Sequence, residues 1–159
     1  MHWVVFLRAV NVGGANRCQP AAIAKQLAKF GVVNIGAVGT FVVREDVSES
    51  TLRAAFARKL PFKCEIMICP ARAIIKLTSK DPFARQPSDD EWLLKIIAIQ
   101  DRFVLGLYRR QMKAISYLGK IEKLLGVPAT TRNWNTIKKV ANIATQRRVA
   151  DPIPHRLRQ

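Results

Sequence analysis

Phe6-Leu7-Arg8-Ala9-Val10-Asn11-Val12-Gly13-Gly14-Ala15-Asn16-Arg17 is the stretch on which the reading of this chain turns. The apolar run from Trp3 to Leu7 reads as a buried strand, about Trp3–Ala9, that breaks at a glycine pair. Glycine admits positive φ, so Gly13-Gly14 allows a tight reversal with amides close together. From about Pro20 a helical pattern follows, with Ile23, Leu27 and Phe30 on one face, Pro20 in the first turn and Gly31 as a stop. A glycine turn leading toward a helix start can hold an anion such as phosphate, with Arg8 or Arg17 adding charge. The plainer explanation is an ordinary strand-to-helix connection, since the spacing matches neither GxGxxG nor a Walker loop.

Working outward, Val32–Val43 is broken by Gly36 and Gly39 and predicts two short strands. Ser48 is placed to cap a helix whose face is Leu52, Phe56 and Leu60, ended by Pro61. Lys63–Cys69 alternates as a half-buried strand would, and Ala71–Thr78 predicts a short helix. The order β-α-β-β-α-β is that of a ferredoxin-like half. Beyond a break at Asp81-Pro82-Phe83, Trp92–Ile99 and Phe103–Tyr108 predict two strands turning at Gln100-Asp101. Two closing helices are expected: about Met112–Leu125, stopped by Gly126, and a last one capped by Thr131 with Trp134, Ile137, Ala141 and Ala144 inward. The fold class is therefore α+β. Its expected parts are a ferredoxin-like half at 1–83, a linker at 84–90, a shortened second α/β portion with closing helices at 91–146, and a basic tail at 147–159.

Charge narrows the function. The chain has 27 Lys and Arg against 11 Asp and Glu, a formal +16. Residues 1–101 hold 14 basic and 9 acidic groups (+5), and residues 102–159 hold 13 and 2 (+11). Such imbalance favours anionic partners, a phosphate-bearing small molecule or nucleic acid; the other reading is a structural or interaction module with no ligand, whose charge only aids solubility. A nucleic acid would be met along Arg109, Arg110, Lys113, Lys138, Lys139, Arg147 and Arg148, mostly through its phosphates. No apolar run approaches the ~20 residues of a membrane span, and the start lacks a signal-peptide pattern, so a cytoplasmic protein without a membrane partner is expected.

Catalysis finds few candidates. His2 and His155 lie near the two ends, and no GxSxG, HExxH or kinase-like set is present. Cys18, Cys64 and Cys69 read as reduced, structural thiols. They do not make up the four closed-geometry ligands of a zinc site. Asp89, Asp90 and Glu91 are better placed to start an element than to hold Mg²⁺. An enzyme is not favoured, and no metal or cofactor is expected. Oligomeric state is not legible.

Arg132-Asn133-Trp134-Asn135-Thr136 is the second candidate site. At a helix start, free amides and the dipole favour an anion, and Arg132 can grip phosphate with two prongs. Asn133 and Asn135 offer paired donors and acceptors. The plainer account makes Trp134 a core anchor and the polar residues caps. The expected ligand-binding set is Arg8, Asn11, Gly13, Gly14, Arg132, Asn133 and Asn135, in a cleft between the glycine turn and this helix start.

Phe6–Gly14 resembles the N-terminal signature of the family known as domain of unknown function 1697. Leu125-Gly126-Val127-Pro128-Ala129-Thr130-Thr131-Arg132-Asn133-Trp134-Asn135-Thr136 is similar to its C-terminal signature, and Asp81-Pro82-Phe83 stands where the family places Asn-Pro-Phe. The resemblance implies an α+β fold of ferredoxin-like character with closing helices, and no established activity. It also exposes departures: Ala9 replaces a usual glycine, and Val38-Gly39-Thr40 replaces a Ser-Gly-Asn turn.

Overall fold

The structure, a computed structural model, describes residues 1–85, 94–108 and 114–146. Arg109, Arg110, Lys113, Arg147 and Arg148, the expected tail and most of the expected linker lie outside the described residues. The chain runs β1 (Trp3–Leu7), α1 (Pro20–Gln26), a 3-10 turn (Ala28–Phe30), β2 (Val32–Asn34), β3 (Thr40–Val43), α2 (Glu49–Lys59), β4 (Ile66–Pro70) and α3 (Ala71–Thr78). It continues through β5 (Leu94–Gln100), β6 (Phe103–Tyr108), α4 (Ala114–Leu125) and α5 (Trp134–Thr145). The fold is α+β, as expected.

Four strands form an antiparallel sheet in the order β2-β3-β1-β4. Successive strand residues point to opposite faces, and here both faces are covered. Val5, Leu7, Phe41, Val43, Ile66 and Ile68 join Ile23 and Leu27 of the α1 segment and Leu52 and Phe56 of α2 in one core layer. Val4, Phe6, Val42 and Cys69 join Ile74 of α3 and Val140, Ala141 and Ala144 of α5 in the other. Burial on both faces explains why β1 and Phe41–Val43 of β3 read as unbroken apolar runs. Phe41 and Phe56 meet at 5.1 Å across the first layer. Because α5 shares a core with β1 and β3, the last helix carries the segment before it to one end of the sheet.

Three details differ from expectation. The β5–β6 turn is Asp101-Arg102, since Gln100 pairs with Phe103, and Asp101 takes φ +53°, a conformation that aspartate tolerates better than most residues. The last helix is capped by Asn133, whose Oδ1 accepts from the Thr136 N–H at 2.8 Å, not by Thr131. The Gly13-Gly14 pair does not lead into a helix. Val12 and Ala15 close on each other, with the Ala15 N–H donating to Val12 O, so the glycines form the tip of a small reverse turn at φ +61° and +79°. Both central residues at positive φ mark the I′ class of turn. α1 starts at Pro20, as expected, after Gln19, which gives it no side-chain cap. Among the described residues, no helix is long and apolar enough to cross a membrane.

Candidate functional site

The two signature stretches meet at the end of the sheet, and Arg132 is where they meet. The segment preceding α5 lays this side chain across the exit of β1 and the β2–β3 turn. Its Nε donates to Thr40 Oγ1 at 2.6 Å. Its Nη1 donates to Thr130 Oγ1 at 2.8 Å and to Thr131 O at 2.7 Å. Its Nη2 donates to Leu7 O and Val38 O, each at 2.9 Å, and to Gly39 O at 3.2 Å. A guanidinium has five N–H groups, and these acceptors occupy all of them. The guanidinium carbon also lies 5.5 Å from the centre of the Phe6 ring. Burial pushes the Arg132 pKa down to about 10, still well above neutrality, so the buried charge persists at pH 7. Its hydrogen-bond partners among the described residues are all neutral oxygens.

Gly39 is what lets the turn come so close. It sits at φ +76°, and a Cβ there would stand 2.8 Å from Leu7 Cβ. Its carbonyl accepts from the Leu7 N–H at 2.8 Å as well as from Arg132. Thr40, the polar remnant of the altered turn, is wholly buried beneath the guanidinium.

Arg8 forms a second tie. Its Nη2 contacts the Glu122 carboxylate at 2.8–2.9 Å and its Nε donates to Ala129 O at 3.2 Å. Glu122 in turn accepts from the Ala129 N–H at 2.8 Å. That amide, with the Arg8 charge behind it, holds the Glu122 carboxyl below its ordinary range. An open groove of about 320 Å³ lies alongside, lined by Arg8, Glu122, Lys123 and Gly126–Pro128. Asn11, at φ +54°, makes a third tie. Its Nδ2 donates to Cys18 O at 3.0 Å and to Ala37 O at 2.7 Å, and its Oδ1 accepts from the Cys18 N–H at 3.0 Å.

The seven expected ligand residues therefore occupy one end of the sheet in different ways. Arg8, Asn11 and Arg132 converge on the 37–40 turn and the 129–132 segment; Asn11 and Arg132 direct their polar groups to the protein, and Arg8 its Nε and Nη2. Asn133 is consumed as a cap. Gly13 and Gly14 stand exposed at their turn, where the Arg17 guanidinium comes within 3.8 Å of the position a Gly14 Cβ would take. Asn135 is exposed on the first turn of α5. Sequence reasoning missed Glu122 and Thr130. Glu122 had a signal: it and Asp151 are the two acids of the basic second half. Thr130 had none. Among the described residues, no cluster of three potential metal ligands forms.

Comparison with known proteins agrees with this architecture. The family described as "Protein of unknown function (DUF1697)" matches residues 1–105. The conserved bacterial protein SP0830 from Streptococcus pneumoniae is similar in structure, with a TM-score of 0.62 at 16% identity over 91% of this chain and 98% of that one. At that identity the likeness concerns the fold. No curated protein matches the chain in sequence.

Proposed function

We propose that this chain, which belongs to the DUF1697 family, is a binding module for phosphate-bearing anions, met by its exposed cations rather than by the Arg8–Arg132 ties. The observation that supports this reading is how the basic groups divide. Arg132 is locked onto protein oxygens, and Arg8, although its side chain is 40% exposed, is tied through Nε and Nη2 to Ala129 O and Glu122. Lys25, Lys29, Arg58, Lys59, Lys138 and Lys139 stand exposed on α1, its 3-10 turn, α2 and α5. A surface with this excess attracts phosphates with little dependence on sequence and strong dependence on salt. The motif residues then serve the fold: they fasten the last helix to the strand end from which the loops depart.

The test is titration with tripolyphosphate, a mononucleotide panel and short RNA and DNA at two salt concentrations. Binding that weakens steeply with salt is the expected result. Absence of binding at low salt across every arm overturns the reading.

A second reading keeps the ligand between the Gly13–Gly14 turn and the start of α5. The position of Arg17 over Gly14 favours it, and its donors would be Arg17, the turn amides and Asn135. Saturable binding of one small phosphate compound, lost in Arg17→Ala and Asn135→Ala but insensitive to polymer length, would select it.

A further inference from the structure

We infer that the groove between the 3-10 turn after α1 and the C-terminal half of α2 is a phosphate site, taking a phosphate or short polyphosphate group. The inference rests on the anion-binding reading above and gives it a location. The groove has a volume of about 240 Å³. Its floor is apolar and fixed: Leu27 is 2% exposed and Ala55 4% exposed. Its rim is polar and cationic, carrying Gln26 and Lys29 from one side and Arg58 and Lys59 from the other.

Three cations and a carboxamide thus surround one concavity with no carboxylate in its lining. The nearest acidic residue on a neighbouring element, Glu45, borders the groove through its N–H bond to Phe30 O at 3.2 Å without lining it. Glu49 is at the opposite end of α2, paired with Arg53 at 2.8 Å. One basic residue in the last turn of a helix is expected from the helix dipole. Lys29 stands in the last turn of its own 3-10 segment and Arg58 and Lys59 in that of α2, so each complements its own helix end; what the groove adds is that these cations from two elements border one space.

The parts suit their task. Lys29 sits 4.8 Å from the centre of the Phe30 ring, which restrains a flexible ammonium over an aromatic face. Arg58 offers a planar fork for two phosphate oxygens, and Lys59 a mobile point charge. Gln26 can donate to a further oxygen. The volume accommodates the phosphates themselves, whether free or at the end of a nucleotide.

Backbone amide NMR titration tests the site, with sodium tripolyphosphate, a nucleoside triphosphate and a short RNA as separate arms. The wild type is compared with Arg58→Gln/Lys59→Gln and with Arg72→Gln/Lys76→Gln. The second pair removes equal charge from exposed positions on α3, across the sheet. Circular dichroism verifies that both remain folded. Expected are shifts centred on Lys29, Phe30 and Arg58 and an affinity for tripolyphosphate reduced about tenfold in the α2 pair, against less than threefold in the α3 pair. Equal affinity for tripolyphosphate and the nucleotide assigns recognition to the phosphates. A tighter nucleotide adds contact with its base or sugar, and a tighter RNA places the same site on a polymer backbone. Binding weakened equally by both pairs, or by neither, overturns the groove while leaving the anion reading intact. No binding by the wild type overturns both.

Discussion

Gly39→Ala probes the sheet-end architecture at its tightest point. The added methyl would stand 2.8 Å from Leu7 Cβ and 3.1 Å from Leu7 Cγ and Cδ1. Leu7 cannot swing away, because the nearest atom is its own Cβ on a central strand and the residue is fully buried. Overpacking of this kind costs about 1–3 kcal/mol. Holding alanine at φ +76° adds about 1–2 kcal/mol, so the expected loss is about 2–5 kcal/mol. Any shift of the turn also disturbs Gly39 O, the acceptor shared by the Leu7 N–H and Arg132. Gly13→Ala is the matched control, at φ +61° with nothing within 4 Å. It should cost only the backbone term, about 1–2 kcal/mol. Urea unfolding followed by tryptophan fluorescence measures both. Equal losses, or a larger one at Gly13, would refute the assignment of Gly39 as the glycine that the fold requires.

Other consequences follow from the same geometry. Glu122 is held below its ordinary pKa of 4.5, first by the Ala129 amide and then by Arg8. Its contribution is present above about pH 4.5 and lost as pH falls through the lowered folded-state value. The stability gap between wild type and Glu122→Gln should therefore be wide at pH 7 and close toward pH 3; a constant gap contradicts the tie. Asn133→Ala should cost about 1 kcal/mol as a lost cap, and Thr131→Ala less than about 0.5 kcal/mol, with denaturation midpoints as the measure. Burial pushes the Cys69 thiol up to about 11, and it is 3% exposed. An aromatic disulfide reagent at pH 8 should reach half-buried Cys18 and Cys64 first and Cys69 only on unfolding; early loss of the Cys69 thiol by mass spectrometry would contradict its placement.

Much of the fold was legible because its signals are local. The apolar runs at Trp3–Leu7 and Phe41–Val43, the Ser48 cap and the punctuation at Gly31, Pro61 and Pro70 each depend on neighbours in sequence. Ser48 Oγ does accept from the Thr51 N–H. Ala71–Thr78 is a helix over the predicted span. What escaped was long-range. Arg132 and Asn11 display donors in the sequence, and donors invite an anion. The acceptors that occupy them are main-chain carbonyls of residues such as Leu7, Val38 and Ala37, which no side-chain pattern reveals. Gly13-Gly14 drew attention as a pair, although the glycine under steric demand is Gly39, inside a turn already noted for its altered flanks. Fully buried Val140 lies on the same helical stripe as the expected Ile137, Ala141 and Ala144, and all four pack into the one core layer.

Arg132→Met tests most directly whether the signature arginine fastens the fold or grips a ligand. Methionine keeps apolar length and removes every donor, leaving Thr40 Oγ1 and the carbonyls of Leu7, Val38 and Gly39 without this partner. Leaving these buried acceptors unpaired costs about 1–3 kcal/mol per group, offset in part because the variant no longer takes a charge out of water on folding, for an expected net loss of about 2–4 kcal/mol. Unfolding free energy and tripolyphosphate affinity are measured on the same preparation, at a temperature where the variant is folded. A lower unfolding free energy with affinity unchanged within about twofold is the predicted result. Unchanged stability with binding abolished would contradict it and return Arg132 to the ligand.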